Sequence, residues 1–410
     1  MSRLAAFLAG LAALAILAAG GLFLAATDPA PLVERDATIS PVAIAQARRL
    51  FALYDPRRLR KGDSREVGIP ANLLDEGINY AATRGFDGRG ALALSEGGAE
   101  LRFTLPLGGP WPRYLNLAAT VPAGIGEPHF AAARLGAIPL PPRLAEGAIA
   151  AGFRLFGYER EWDLARRAIH SLEFDPARRL VVVRYIWEPE ILDRARAIAL
   201  APADIEHLRA AQTALAALLD HRAAGTPVPL PAVLKPLLAE DGSRARRRAV
   251  LAVLATYLAE KNLSTLVPEA RRWPHPRPVA LTLHGRYDSA QHFVISAALA
   301  AWAGEPLANA IGLYKELDDA RRGSGFSFAD LAADRAGTRF GELVAGEDAR
   351  VDRLLAGDTG DADLAPTLQG LPEYLREREF RRRFGGPGSP AYRQMADEIE
   401  RRIAALPLYR

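Results

Sequence analysis

The hydropathy pattern opens with an unbroken apolar run. Residues 4–26 read LAAFLAGLAALAILAAGGLFLAA and carry no charge, a length that suits a hydrocarbon core of ~30 Å. Arg3 and the free amino terminus precede the run, and Asp28, Glu34, Arg35 and Asp36 follow it. Basic residues favour the cytoplasmic side, so the pattern predicts a single-pass anchor over 1–27 in the inner (cytoplasmic) membrane, with the bulk of the chain periplasmic. A secretory signal is the competing reading: Leu24-Ala25-Ala26 offers small residues for cleavage, although the apolar core of such a signal is usually shorter.

Between about 40 and 200 the period changes repeatedly. Pro41–Tyr54 has helical spacing, SREVGIP (64–70) reads as a short strand, and Ala71–Arg84 reads as an amphipathic helix stopped by Gly85. From Gly90 the apolar positions alternate around Glu96-Gly97-Gly98, a hairpin signal. Arg113–Val121 alternates again, and His129–Leu140 is a further strand. Helices are expected over Leu144–Phe156 and Glu159–Leu172, then a turn at Asp175-Pro176 and a strand to Trp187. These elements predict an α+β domain with antiparallel strands.

From 201 to 344 the spacing is helical. Segments at 205–221, 232–240 and 244–261 are followed by an irregular approach through Arg271–Pro276. Three short helices come next: Ser289–Trp302, with Asp288 or Ser289 as its cap; Leu307–Ala320 after Pro306; and Phe328–Val344, capped by Ser327. Residues 345–370 are acidic without the alternation of a calcium loop, so they read as a solvated linker before C-terminal helices at 371–384 and 390–406.

Composition narrows the chemistry. There is no cysteine, which excludes disulfides, thiolate metal sites and a cysteine nucleophile. The 52 basic residues are all arginine except Lys61, Lys235, Lys261 and Lys315, and acidic residues are interleaved with them to a net charge of +4. No basic stripe with interleaved aromatics appears, so nucleic acid is not an expected partner. Phosphate-binding and dinucleotide-binding glycine loops, a nucleophile elbow and HExxH are all absent. His129 and His170 each lack a second ligand nearby.

The segment 283–343 concentrates the remaining candidates. Asp288 and His292 stand four apart, Glu316 and Asp319 three apart, and Asp330 and Asp334 four apart, so each pair shares a face of its own helix. Three helices in series could bring the pairs together. Carboxylates around a histidine are how helical bundles build metal sites, and crowded carboxylates also make acid/base pairs. The candidate catalytic set is therefore His292, Glu316, Asp319, Asp330 and Asp334. His292, Glu316 and Asp334 are the candidate ligands for a divalent metal. A buried structural hydrogen-bond network, or scattered surface ion pairs, would use the same residues.

These residues also carry a resemblance. D-x3-H-F (Asp288, His292, Phe293), G-x2-K-E-x2-D (Gly312, Lys315, Glu316, Asp319) and GSGFS followed by D-L-x-A-D-x-A-G (Gly323 to Gly337) resemble the YfiM-type envelope lipoproteins over about 50 residues. The resemblance implies an extracytoplasmic setting and a His–Glu–Asp set that acts together, but no reaction. This chain departs from the family in its long N-terminal extension and its lack of a lipidated cysteine. Two functions follow as expectations. One is an anchored envelope protein that binds a partner or lipid-like ligand through the α+β domain. The other is a metal-dependent or acid/base hydrolase acting on an envelope substrate.

Overall fold

The computed structural model describes residues 17–55, 59–109, 113–155, 159–190, 202–265 and 267–410. The chain is mixed α+β with antiparallel sheets and divides into two compact units, residues 1–196 and 197–410. Residues 17–26 are helical. Among the described residues no helix is long and apolar enough to cross a membrane, and residues 1–16 of the expected anchor lie outside them.

The first unit opens with α1 (Pro41–Leu53), β1 (Ser64–Pro70) and α2 (Ala71–Phe86). Ser40 caps α1 by accepting from the Ala43 N–H, and its own N–H and hydroxyl donate to Glu76 on α2. α2 runs past the expected stop at Gly85 and ends at Asp87, which takes a left-handed φ of 52°. β2 (Arg89–Ser95) and β3 (Gly98–Leu107) form the expected hairpin, with Ser95 opposite Gly98. β4 (Arg113–Pro122) pairs along the whole of β3.

The expected strand 129–140 is broken in two. After the short β5 (Gly124–Ile125), β6 (Ala132–Leu135) and β7 (Ile138–Leu140) fold back on each other. The helix expected over 159–172 is also divided: α3 (Pro142–Leu155) and α4 (Glu159–Ala168) are helical, but β8 (Ile169–Asp175) is already a strand paired with β9 (Leu180–Ile186). Pairing with the valine run of β9 overrides the helical spacing of 169–172, as tertiary context commonly does. The sheets are β2-β3-β4-β6-β7 and β1-β9-β8-β5. His129 and His170 are both exposed.

Among the described residues the second unit is helical apart from one short parallel pair, β10 (Pro227–Pro229) with β11 (Ala280–Thr282), the first of them in the expected proline elbow. Its helices are α5 (Pro202–Leu219), α6 (Leu230–Ala239), α7 (Arg244–Leu258), α8 (Tyr287–Ala303), α9 (Glu305–Arg322), α10 (Phe328–Ala345), α11 (Ala349–Ala356), α12 (Asp361–Leu364), α13 (Glu377–Phe384) and α14 (Pro390–Ala404). One large core joins them, with Phe293, Phe326, Phe328 and Phe340 fully buried.

The tail corrects the sequence reading. Residues 345–370 do not form a solvated linker: Val351, Leu364 and Ala365 are completely buried in the same core. The acidic residues that suggested solvation have local work instead. Asp348 caps α11, Asp361 accepts from the His284 N–H, and Asp352 pairs with the buried Arg247 of the expected basic cluster. Farther on, Phe380 stacks on Phe326 at 4.1 Å between ring centroids. The Tyr409 hydroxyl lies 2.7 Å from the Leu364 carbonyl and 3.2 Å from that of Ala336. Tyr409→Phe should therefore cost about 1–2 kcal/mol, read as a lower Tm in thermal unfolding. An unchanged Tm would mean that this tie contributes nothing.

Candidate functional site

Helices α8, α9 and α10 build the site in the second unit. Glycines let them approach. A Cβ at Gly337 of α10 would lie 2.0 Å from the Phe293 carbonyl oxygen on α8, and one at Gly341 would lie 2.2 Å from that of Ala297. The turn into α10 needs Gly325 at φ +108°, where a Cβ would also meet the Tyr374 backbone at 2.5 Å.

α8 contributes His292 and, one turn on, Ser296, both buried. α9 contributes Lys315 and Glu316, and α10 contributes Asp330 and Asp334. The Asp334 Oδ1 lies 3.1 Å from His292 Nδ1 and accepts from the Ser296 hydroxyl at 2.7 Å. That fixes the ring and turns Nε2 the other way, to 3.6 Å from Asp330 Oδ2. Glu316, only 1% exposed, accepts the Ser327 N–H at 2.9 Å through Oε2. This donor stands at the start of α10, where the helix dipole favours a carboxylate. Lys315 Nζ closes the rim, 3.2 Å from His292 Nε2, 3.1 Å from Asp319 Oδ2 and 3.9 Å from Glu316 Oε1, with half of its side chain exposed.

Polar atoms are left over in this buried setting. Glu316 Oε1, Asp330 Oδ1 and Asp334 Oδ2 are buried with no hydrogen-bond partner. Such orphans are uncommon and call for a physical reason. A cavity of about 50 Å³ adjoins Asp334, lined by Ser296, Ile311 and Gly312 among others. Gly312 leaves space for the carboxylate itself, since a Cβ there would lie 2.9 Å from Asp334 Oδ2.

The electrostatics follow from burial and crowding. Burial raises the Glu316 carboxyl, and the Asp334 charge adds to it, to about 8. Burial likewise raises Asp330. For His292 burial opposes the charged ring, but Asp334, by charge and hydrogen bond, and then Asp330 outweigh it and hold the imidazole up at about 9. The Lys315 contact pulls the other way, because an ammonium can donate to Nε2 only when the ring is neutral. A carboxyl raised to about 8 and an imidazole held at about 9, joined in one network, can exchange protons with a bound molecule in the mildly alkaline range.

The structure sorts the sequence candidates. His292, Glu316, Asp330 and Asp334 come together. Asp319 sits at the rim as the partner of Lys315. Asp288, expected to face the cluster with His292, is turned to Arg286 and to the Ser289 N–H, and these bonds hold its carboxyl below the usual range. It is also not the α8 cap, since that position falls to Arg286 with no side-chain bond. Among the described residues, one set of His and carboxylate donors lies within 4.8 Å of one another, and it is His292, Glu316 and Asp330. Asp334, expected as a ligand, instead braces the opposite ring nitrogen. Ser296 was not singled out from sequence; its position four residues after His292 was the available signal. Against this geometry the comparisons add no relative: no protein-family model, no curated protein and no solved structure matches this chain.

Proposed function

We propose that the chain is an envelope protein whose helical unit carries an acid/base hydrolytic centre at His292, Glu316, Asp330 and Asp334. The observation that carries this reading is the convergence of four ionisable side chains from three helices, with buried carboxylate oxygens left unpartnered. In this reading His292, oriented by Asp334, and Glu316 handle protons, Asp330 supports the developing charge, and Asp319 positions Lys315 at the rim.

The setting belongs to the same proposal. The apolar run 4–26 is the membrane anchor, with the bulk of the chain periplasmic, and the resemblance of 288–337 to YfiM-type lipoproteins supports that placement. The substrate is then an envelope component. A second reading, binding of a partner or lipid-like ligand through the first unit, draws on its exposed apolar side chains Phe86, Ile125 and Leu144.

The deciding experiment is a hydrolysis screen of the full chain in detergent against carboxyl ester, phosphodiester and amide substrates. Activity at one class is expected, falling about 100-fold or more in Glu316→Gln and His292→Ala while circular dichroism stays unchanged. No turnover at any class, or variants as active as the parent, would overturn the hydrolase reading.

A further inference from the structure

We propose that the cluster is a divalent-cation site, with His292 Nε2, one Glu316 oxygen and one Asp330 oxygen as ligands, and that the Lys315 ammonium is a resident stand-in which the ion displaces. The inference rests on the reading of this cluster as a functional centre, names its cofactor and, in the metal-bound state, reassigns His292 and Glu316 from proton carriers to ligands.

Three observations point to an ion. First, the three donors lie within 4.8 Å of one another. Donors at ~2.1 Å from a tetrahedral ion stand about 3.4 Å apart, so side-chain adjustments of about 1 Å close the set. Second, Glu316, 1% exposed, presents Oε1 with no hydrogen-bond partner, and Asp330 likewise leaves Oδ1 unpartnered. Third, the bond from Asp334 to Nδ1 is the outer contact that a ligating histidine usually has, since it fixes the tautomer and leaves the Nε2 lone pair for the metal. One nitrogen and two carboxylate oxygens suit zinc or manganese and leave further positions open for water.

Lys315 marks where the ion goes. Its ammonium lies 3.2 Å from Nε2 and 3.9 Å from Glu316 Oε1, two of the proposed ligands. An ion bound to both would collide with that ammonium and repel it. Lys315 can leave: half of its side chain is exposed, and Asp319, one turn along α9, already holds the ammonium on the outer side at 3.1 Å. Lysine suits this use as a compact charge on a flexible stem. The apo site therefore keeps a cation near its carboxylates, and the metal-bound site exchanges it for a stronger one.

The test uses the full chain in detergent, stripped with chelator and titrated separately with Zn2+ and Mn2+. One equivalent should bind to the wild type and none to Glu316→Gln, with the fold checked by circular dichroism. Lys315→Met should bind about tenfold tighter or more. Acetylation followed by mass spectrometry supplies a readout that charge removal alone would not move. The chain has four lysines, and Lys315 labelling should rise several-fold on metal addition while Lys61, Lys235 and Lys261 stay constant. The absence of one-to-one binding, or binding that survives Glu316→Gln, would overturn the site. Binding through these residues with Lys315 labelling unchanged would overturn the displacement. Hydrolysis without metal binding would leave the proposed function standing and remove this inference; metal binding without hydrolysis would do the reverse.

Discussion

Gly337→Ala should unfold or severely loosen the helical unit. The added Cβ would stand 2.0 Å from the Phe293 carbonyl oxygen and 2.8 Å from its carbon, both backbone atoms of the facing helix. No rotamer change relieves such a clash, so α8 and α10 must separate by more than 1 Å to reach ordinary C···O contact of about 3.3 Å. The interface they would open contains Phe293 and Phe340, whose rings lie 5.6 Å apart. Overpacking of a tight core costs about 3 kcal/mol at its upper range, or a Tm loss of about 6–12 °C in a unit of this size. Because His292 precedes Phe293, the same movement should pull the ring from Asp334, so any activity or metal binding should fall with stability. Gly77→Ala is the control. Gly77 lies inside α2, and a Cβ there would meet nothing within 4 Å, so the change should stabilise by about 0.5–1 kcal/mol. Equal Tm values for Gly337→Ala and the parent would refute the close packing of α8 on α10.

In the metal-free protein, the stability contributed by Glu316 and His292 should fall as pH rises from about 4.5 to about 9. The Glu316 carboxyl has an ordinary value of 4.5 and is raised by burial to about 8 in the fold. Between those values the folded chain keeps a proton that the unfolded chain has released. The stabilisation is therefore complete below about 4.5 and lost by about 8. His292 has the same sign over a higher window, from 6.5 to about 9. Each proton held only by the fold changes stability by about 1.4 kcal/mol per pH unit within its window, so the two act in the same direction and the fall should be steepest between about 6.5 and 8, where their windows overlap. Glu316→Gln removes the lower window while its amide oxygen can still accept the Ser327 N–H. Thermal unfolding at stepped pH with chelator present checks this. The parent curve should fall more steeply than that of Glu316→Gln between about pH 5 and 8, and parallel curves would refute the buried, proton-holding Glu316.

Much of the site was visible in the residue pattern, but not its internal roles. Spacing placed Asp330 and Asp334 on one face of a helix, and Glu316 on another. It could not say which carboxylate meets which ring nitrogen, because that depends on how far α10 is rotated against α8. The structure gives Nδ1 to Asp334 and places Asp330 nearer Nε2. Asp288 shows the opposite failure. Its spacing to His292 was right, yet Arg286, two residues before it, binds the carboxylate first. Arg286 is held in turn by Glu373, far along the chain, at 2.7 Å.

By itself the sequence determined the local elements: the 96–98 hairpin, the three helices of the site and the Ser327 cap, which accepts from the Asp330 N–H as expected. These depend on periodicity, turn residues and capping groups within a few positions of one another. Tertiary structure decided the rest. Residues 169–172 became a strand because β9 was there to pair with them, and the acidic tail became core because Val351, Leu364 and Ala365 had an apolar surface to cover. Burial, too, is a property of the packed helices: the same Glu316 on an exposed helix would be an ordinary ionised carboxylate, and only the contact of α8, α9 and α10 removes the water that would keep it so.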